Sequence, residues 1–344
     1  MNAPAPRPSA EVVPGDQRAI ESELADFRAA FDKIKVRLQE VIVGQDQIIR
    51  GVLTAIFLQG HVLLEGVPGL GKTLLVATLG ELLGLRSTRV QFTPDLMPAD
   101  IIGTRVIKQE PGSASMHFEF ERGPVFTQIL LADEINRATP KTQSALLEAM
   151  QERRVTVAGT TYPLPEAFVV LATQNPLEQE GTYPLPEAQL DRFLFKLLVR
   201  FPTQLELVEI TKRTTSAATA PIKPLVDSSA RILKWSKLLR QVPVGTAVID
   251  YGARLLLATH PPATGEANGT AKHIRCGASP RGLQAMILAA KVNAVLAGRF
   301  SVSREDVNEV AKQSLRHRIL LTFEAEAEGI RSDQVIEGVI QQMH

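Results

Sequence analysis

The sequence predicts an α/β unit built on a parallel sheet flanked by helices, followed by an all-helical unit. Three observations predict it. Between His61 and Arg200, short apolar runs alternate with helix-like stretches, the pattern of strands joined by crossover helices. A glycine-rich segment, Gly66 to Thr73, falls between one such run and one such helix. Beyond Pro202 the strand signal stops and only helical periods remain.

The elements follow in chain order. Residues 1–15 carry Pro4, Pro6, Pro8 and Pro14 and few large apolar groups, so a mobile tail is expected. A helix is expected over Asp16 to Glu40, where Ile20, Leu24, Phe27, Phe31, Ile34 and Leu38 recur three or four apart. Strands are expected at His61 to Leu64, Val90 to Phe92, Ile129 to Leu131, Phe168 to Thr173 and Phe195 to Val199, with helices at Thr73 to Leu83 and Pro140 to Glu152. Two segments break the alternation: Thr104 to Glu121 around Pro111-Gly112-Ser113, and Arg153 to Tyr162 around Ala158-Gly159. Both read as β-hairpins, serving either as contact elements or as covers for a sheet edge. The second unit, 203–344, should hold helices at Leu205 to Arg213, Ser229 to Val242, Ala247 to His260, Pro280 to Ala297 and Arg304 to Leu320. The first unit then spans 16–202.

Composition narrows the function classes. There are 38 Lys and Arg against 37 Asp and Glu, which leaves no global field to draw in nucleic acid or an anionic membrane. One cysteine, Cys276, allows no intramolecular disulfide. The N-terminus lacks a charged start followed by an apolar run, and no stretch reaches membrane-span length. A cytoplasmic location without membrane insertion is the expectation.

The chemistry is concentrated at three strand ends. Gly66-Val67-Pro68-Gly69-Leu70-Gly71-Lys72-Thr73, with Leu74 following, has the phosphate-cradling spacing. Its glycines let backbone amides turn onto phosphates at the positive end of a helix. Lys72 adds a charge between the β- and γ-phosphates, and the Thr73 hydroxyl is a magnesium ligand. Ile129-Leu130-Leu131-Ala132 runs into Asp133 and Glu134. A strand ending in two carboxylates suits Asp133 as a second metal ligand and Glu134 as the base that polarises an attacking water. A third run ends at Asn175 before Pro176. Asn175 either orients that water or is a turn-forming residue. ATP and Mg²⁺ are the expected substrate and cofactor.

Taken together, these motifs resemble the AAA+ superfamily and, within it, the MoxR-type ATPases, over about residues 35 to 340. The resemblance rests on Val43-Gly44-Gln45, the Gly66 to Thr73 loop, Asp133 to Ala138, Ala172 to Pro176, Pro186 to Phe193 and Gly277 to Arg281. It implies a P-loop AAA+ core with hairpin inserts and an all-α lid domain. It implies that Val43, Gly44 and Gln45 line the adenine pocket, that Asn175 is the polar sensor, and that Arg192 is an arginine finger acting on a neighbouring subunit's nucleotide. Arg281 would be a second sensor, at the first turn of a lid helix facing the cleft. Arg137 is a further candidate for intersubunit work. The resemblance also implies a ring of identical subunits, usually a hexamer, that remodels or activates a client such as a von Willebrand factor A domain protein.

Two other functions fit less well. A DNA motor would draw on Arg122, Arg153 and Arg154 near the hairpins, against the neutral net charge and the lack of a helix-turn-helix signature. An ATPase subunit of a metal chelatase shares the same motifs. Trp235 reads as core, and His260, His273 and His317 have no metal-ligand spacing.

Overall fold

The structure is a computed structural model, and it describes residues 14–67, 69–109, 116–176, 181–215, 223–261 and 269–343. Residues 1–13 of the expected tail, Pro68 of the glycine-rich loop and the Pro111-Gly112-Ser113 turn lie outside the described residues.

Helix α1 (Pro14–Val41) starts inside the segment expected to be tail, with proline at a position where its missing N–H costs nothing. Its apolar stripe, Leu24, Phe27, Phe31, Ile34 and Leu38, is buried. Helix α2 (Asp46–Leu58), not assigned from the sequence, is buried on nearly every side from Ile48 to Leu58.

Five strands form the parallel sheet: β1 (Val62–Glu65), β2 (Ser87–Gln91), β5 (Ile129–Asp133), β8 (Val169–Gln174) and β9 (Phe195–Leu198), in the order β2-β5-β8-β1-β9. The central strands are almost wholly buried, so they read as continuous apolar runs. Edge strand β2 is half-exposed and begins on Ser87 and Thr88, which is why apolar character alone marked only its end. Helices α3 (Lys72–Leu83), α4 (Pro98–Ile102), α5 (Pro140–Glu152) and α6 (Glu187–Leu190) connect the strands. The register sets Leu64 beside Thr173, Ala132 beside Ala172 and Gln91 beside Asp133. The carboxyl ends of β1, β2, β5 and β8 are therefore level.

Both hairpins form. Strand β3 (Gly103–Gln109) pairs β4 (Met116–Arg122), and β6 (Arg154–Val157) pairs β7 (Thr160–Pro163). They touch each other through Phe120 and Tyr162, whose rings stack at 4.0 Å and 19°.

The lid is helical: α7 (Gln204–Thr215), α8 (Ser229–Gln241), α9 (Thr246–Leu257), α10 (Pro280–Leu296), α11 (Arg304–Leu315), α12 (Phe323–Ala327) and α13 (Ser332–Gln342). It also carries a small antiparallel pair, β10 (Ile274–Cys276) with β11 (Leu320–Leu321), too short to show a period of two. The unit is otherwise helical among the described residues, as the all-α expectation had it. One apolar cluster runs from α1 through the sheet into the lid, and Trp235 is part of it, 5.8 Å from the rings of both Phe27 and Phe57. No helix among the described residues is long and apolar enough to cross a membrane.

Candidate nucleotide site

Strand β1 ends at Glu65, and the chain turns through the glycine-rich loop into α3, whose first residue is Lys72. Gly69 and Gly71 have φ of +82° and +77°, with open space where a Cβ would stand. Backbone conformation, not crowding, therefore demands glycine there. The loop leads into the positive end of a three-turn helix, with Thr73 and Leu74 exposed at its start, a natural anion site. Lys72 Nζ donates to the Gly66 carbonyl at 2.8 Å. Burial lowers the Lys72 pKa, and the nearby Asp133 and Glu134 carboxylates oppose that shift.

The two carboxylates are held by neighbours that strand order supplies. Asp133 Oδ1 accepts from the Thr173 hydroxyl at 2.6 Å, and Oδ2 accepts from Arg89 at 2.7 Å. Thr173 Oγ1 in turn accepts the Glu134 N–H at 2.8 Å. Glu134 itself takes a left-handed backbone, φ 55° and ψ 51°, a strained conformation for a side chain of this kind and one that clusters at functional sites. The turn brings its Oε2 to Gln91 at 2.6 Å and to Arg137 at 3.1 Å. Asn175, 5% exposed, lies just past the end of β8. Gly69, Gly71, Lys72, Thr73, Leu74, Asp133, Glu134 and Asn175 line one cavity of about 410 Å³, together with Arg89 and Gln91. That volume suits a small-molecule ligand.

Magnesium fits this donor set. Thr73 and Asp133 offer a hydroxyl and a carboxylate, the hard oxygen ligands the ion prefers. The Arg89 guanidinium on Asp133 Oδ2 is a cation standing where a metal's charge would act.

The segment expected to line the adenine pocket lies beside the loop. Gln45 joins Ile42, Leu70, Gly71 and Lys72 around a small crevice. Gly44 and Gln45 are tied to Arg200, through the Gly44 carbonyl at 2.8 Å and the Gln45 side chain at 3.1 Å. Arg200 pairs with Glu206 and, as the largest cause, pulls the Glu206 pKa down to about 2. Among the described residues, Val43 is not part of the crevice lining.

Arg192 and Arg281 stand apart from all of this. They share a second cavity, of about 460 Å³, with Asp191, Arg153, Arg240 and Arg318. It has no lining residue in common with the first among the described residues. Arg192 Nη1 donates to the Leu147 carbonyl at 2.7 Å. Arg281 does sit in the first turn of α10, after the Ser279 cap, but it faces Asp191 at 3.6 Å and not the cleft with Lys72. The reason is the docking of the lid: the Ser279 hydroxyl donates to Asp191 at 2.7 Å, which turns the start of α10 toward the segment before β9. Arg137 pairs within the chain with Glu134.

Of the arginines that could have served DNA, Arg153 is held internally, donating to the carbonyls of Gln59 and Phe168, whereas Arg154, paired with Glu152 at 3.3 Å, and Arg122, over the Phe126 ring at 5.3 Å, are exposed. Arg89, Gln91, Thr173 and Arg318 escaped the sequence reading. Only Thr173, inside the quoted Ala172 to Pro176 motif, carried a signal that could have flagged it.

Comparison with known proteins bears on the whole chain. Residues 61–195 match the model for the ATPase family associated with various cellular activities (AAA), and residues 266–339 match that for an AAA lid domain. The chain is 44% identical over 334 residues to Chaperone MoxR1 of Mycobacterium tuberculosis, covering 97% of this chain and 86% of that protein. It is 32% identical over 318 residues to Protein MoxR of Paracoccus denitrificans, covering 88% and 92%. A crystal structure from Cytophaga hutchinsonii superposes with a TM-score of 0.86 at 41% identity, covering 95% and 98%.

Proposed function

This chain belongs to the MoxR family of AAA ATPases, and on that premise we propose that it hydrolyses ATP at sites shared between neighbouring subunits of a ring. The loop amides of Gly66 to Thr73 and the Lys72 ammonium bind the phosphates. A magnesium ion held by Thr73 and Asp133 would neutralise charge building on the phosphate oxygens. Asn175 orients a water, and the Glu134 carboxylate takes its proton as the water oxygen attacks the γ-phosphorus. The bond to the β-phosphate oxygen breaks, and ADP and phosphate leave.

The observation that supports a shared site is the separation of the charges. Arg192 and Arg281 lie together in a cavity that Lys72, Asp133 and Glu134 do not line. Guanidinium groups stabilise the transferring phosphoryl by orders of magnitude in rate, and these two are disposed to serve a nucleotide bound by another copy. A ring, hexameric as the resemblance implies, places each such face against the next subunit's loop. Its cycle would remodel or activate a client complex, a reading supported by the relative named as a chaperone. A client bearing a von Willebrand factor A domain remains the partner we propose.

The test is ATP turnover per subunit against protein concentration, with mass photometry on the same samples. Turnover should rise as rings assemble and fall at least 100-fold in Arg192→Ala. Turnover that is independent of concentration and survives the substitution would mean a self-contained site.

A further inference from the structure

We infer that Arg318 is a positioning residue for this reaction, clasping the chain on both sides of Arg192 so that Arg192 is carried by the lid. The inference rests on the shared-site reading above. Arg318 lies three residues past α11, and its side chain is only 3% exposed. All five of its N–H donors are used. Nε donates to Asp191 Oδ1 at 2.8 Å. Nη2 donates to the carbonyls of Asp191 at 3.0 Å and Phe193 at 2.7 Å. Nη1 donates to the Leu194 carbonyl at 3.3 Å and to that of Ser314. Three carbonyls that bracket Arg192, one before it and two after, are thus fixed by one rigid, planar group.

Its neighbours reinforce the clasp. His317 Nε2 lies 3.0 Å from the Phe193 carbonyl, and Arg316 donates to the Lys196 carbonyl at 3.2 Å. Three consecutive lid residues therefore grip the segment from Asp191 to Lys196. Asp191 extends the link to the other arginine: it accepts from Ser279, the cap of α10, and lies 3.6 Å from Arg281. Arg192 and Arg281 are in this way referenced to a common carboxylate.

Stability is a poor reason for such an arrangement. A buried guanidinium pays heavily for desolvation, and apolar packing would join lid to core at lower cost. What the fork supplies is geometry. With the backbone around Arg192 held by the lid through Arg318 and by the core through the Leu194 N–H on the His61 carbonyl, Arg192 has only to exchange its Leu147 carbonyl for a phosphate by turning its side-chain torsions. A misplacement of about 1 Å in such a group costs roughly 100-fold in rate.

Arg318→Lys keeps the charge beside Asp191 and loses the fork. We expect kcat to fall 10- to 100-fold, with KM for ATP, affinity for a fluorescent ADP and ring assembly by mass photometry all within two-fold of wild type. The decisive step is mixing. Arg318→Lys subunits have an intact loop and a faulty arginine face, while Glu134→Gln subunits have the reverse. Co-assembly of the two should restore turnover, as should co-assembly of Arg192→Ala with Glu134→Gln. The double variant Glu134→Gln/Arg192→Ala should restore neither. Wild-type kcat in Arg318→Lys overturns the inference, as does equal rescue by the double variant. Rescue of Arg192→Ala without rescue of Arg318→Lys also overturns it and leaves the shared site standing. Failure to rescue either variant sinks the shared site, and the inference with it. Should Arg318→Lys not fold, Asp191→Asn, which preserves shape and the Oδ1 acceptor, takes its place in the same mixtures with the same outcomes.

Discussion

Arg89 shows how a single side chain can matter without any motif to announce it. It bonds Asp133 Oδ2 at 2.7 Å from the edge strand, and Asp133 is the carboxylate proposed to hold magnesium. Arg89 would therefore compete with that metal for one oxygen. Its side chain is 50% exposed, so the pair contributes at most about 1 kcal/mol. Arg89→Ala should lower the magnesium concentration for half-maximal binding of a fluorescent ATP analogue, by no more than about five-fold. A shift to higher magnesium would show that Arg89 assists the ion. Glu134 was legible as a candidate base from its place after an apolar run. Its left-handed turn and its tethers to Gln91 and Arg137 were not, because they come from a neighbouring strand and a local backbone geometry that spacing does not encode.

Among the elements, α1 binds core to lid. Phe27 meets Phe57 of α2 at 5.0 Å, edge to face, and Trp235 of α8 at 5.8 Å. Lys234 and Glu23 close the rim at 2.6 Å. Phe27→Ala should remove about 3–5 kcal/mol from unfolding in denaturant. Trp235, the chain's one tryptophan, should report the same loss as a red-shifted emission in the native state. A loss under 1 kcal/mol would mean that α1 only rests on the core. The amphipathic period of α1 was readable, and so was the apolar character of Trp235, but their meeting was not: Phe27 and Trp235 are more than 200 residues apart in sequence.

For the molecule as a whole, two buried histidines make stability depend on pH. His61 accepts the Val170 N–H at Nδ1, 3.0 Å, and faces the Met150 carbonyl. Burial first, then Arg153, lowers its pKa from 6.5 to about 3. Burial first, then Arg318, lowers that of His317 as well. In the unfolded chain both titrate near 6.5, so the unfolded state binds more protons below that pH. Their stabilising effect is complete above about pH 6.5 and is lost progressively as pH falls toward the folded pKa values. The slope should reach about 1.4 kcal/mol per pH unit for each histidine. Denaturant midpoints between pH 7.5 and 5 would measure it, and His61→Gln should flatten the curve. An unchanged slope would mean that His61 titrates equally in both states.

The sequence by itself determined the sheet, the glycine-rich loop, the candidate carboxylate pair at Asp133 and Glu134 and the family resemblance, because each depends on residues close together in the chain and on local preferences of backbone and burial. Only the tertiary structure decided that Arg192 and Arg281 share one cavity while Lys72, Asp133 and Glu134 share another. That division follows from how the lid docks, through Arg316, His317 and Arg318 on the segment that leads into β9 and on β9 itself. Contacts separated by more than 100 residues have no local signature. Their position is the outcome of burying one continuous apolar core.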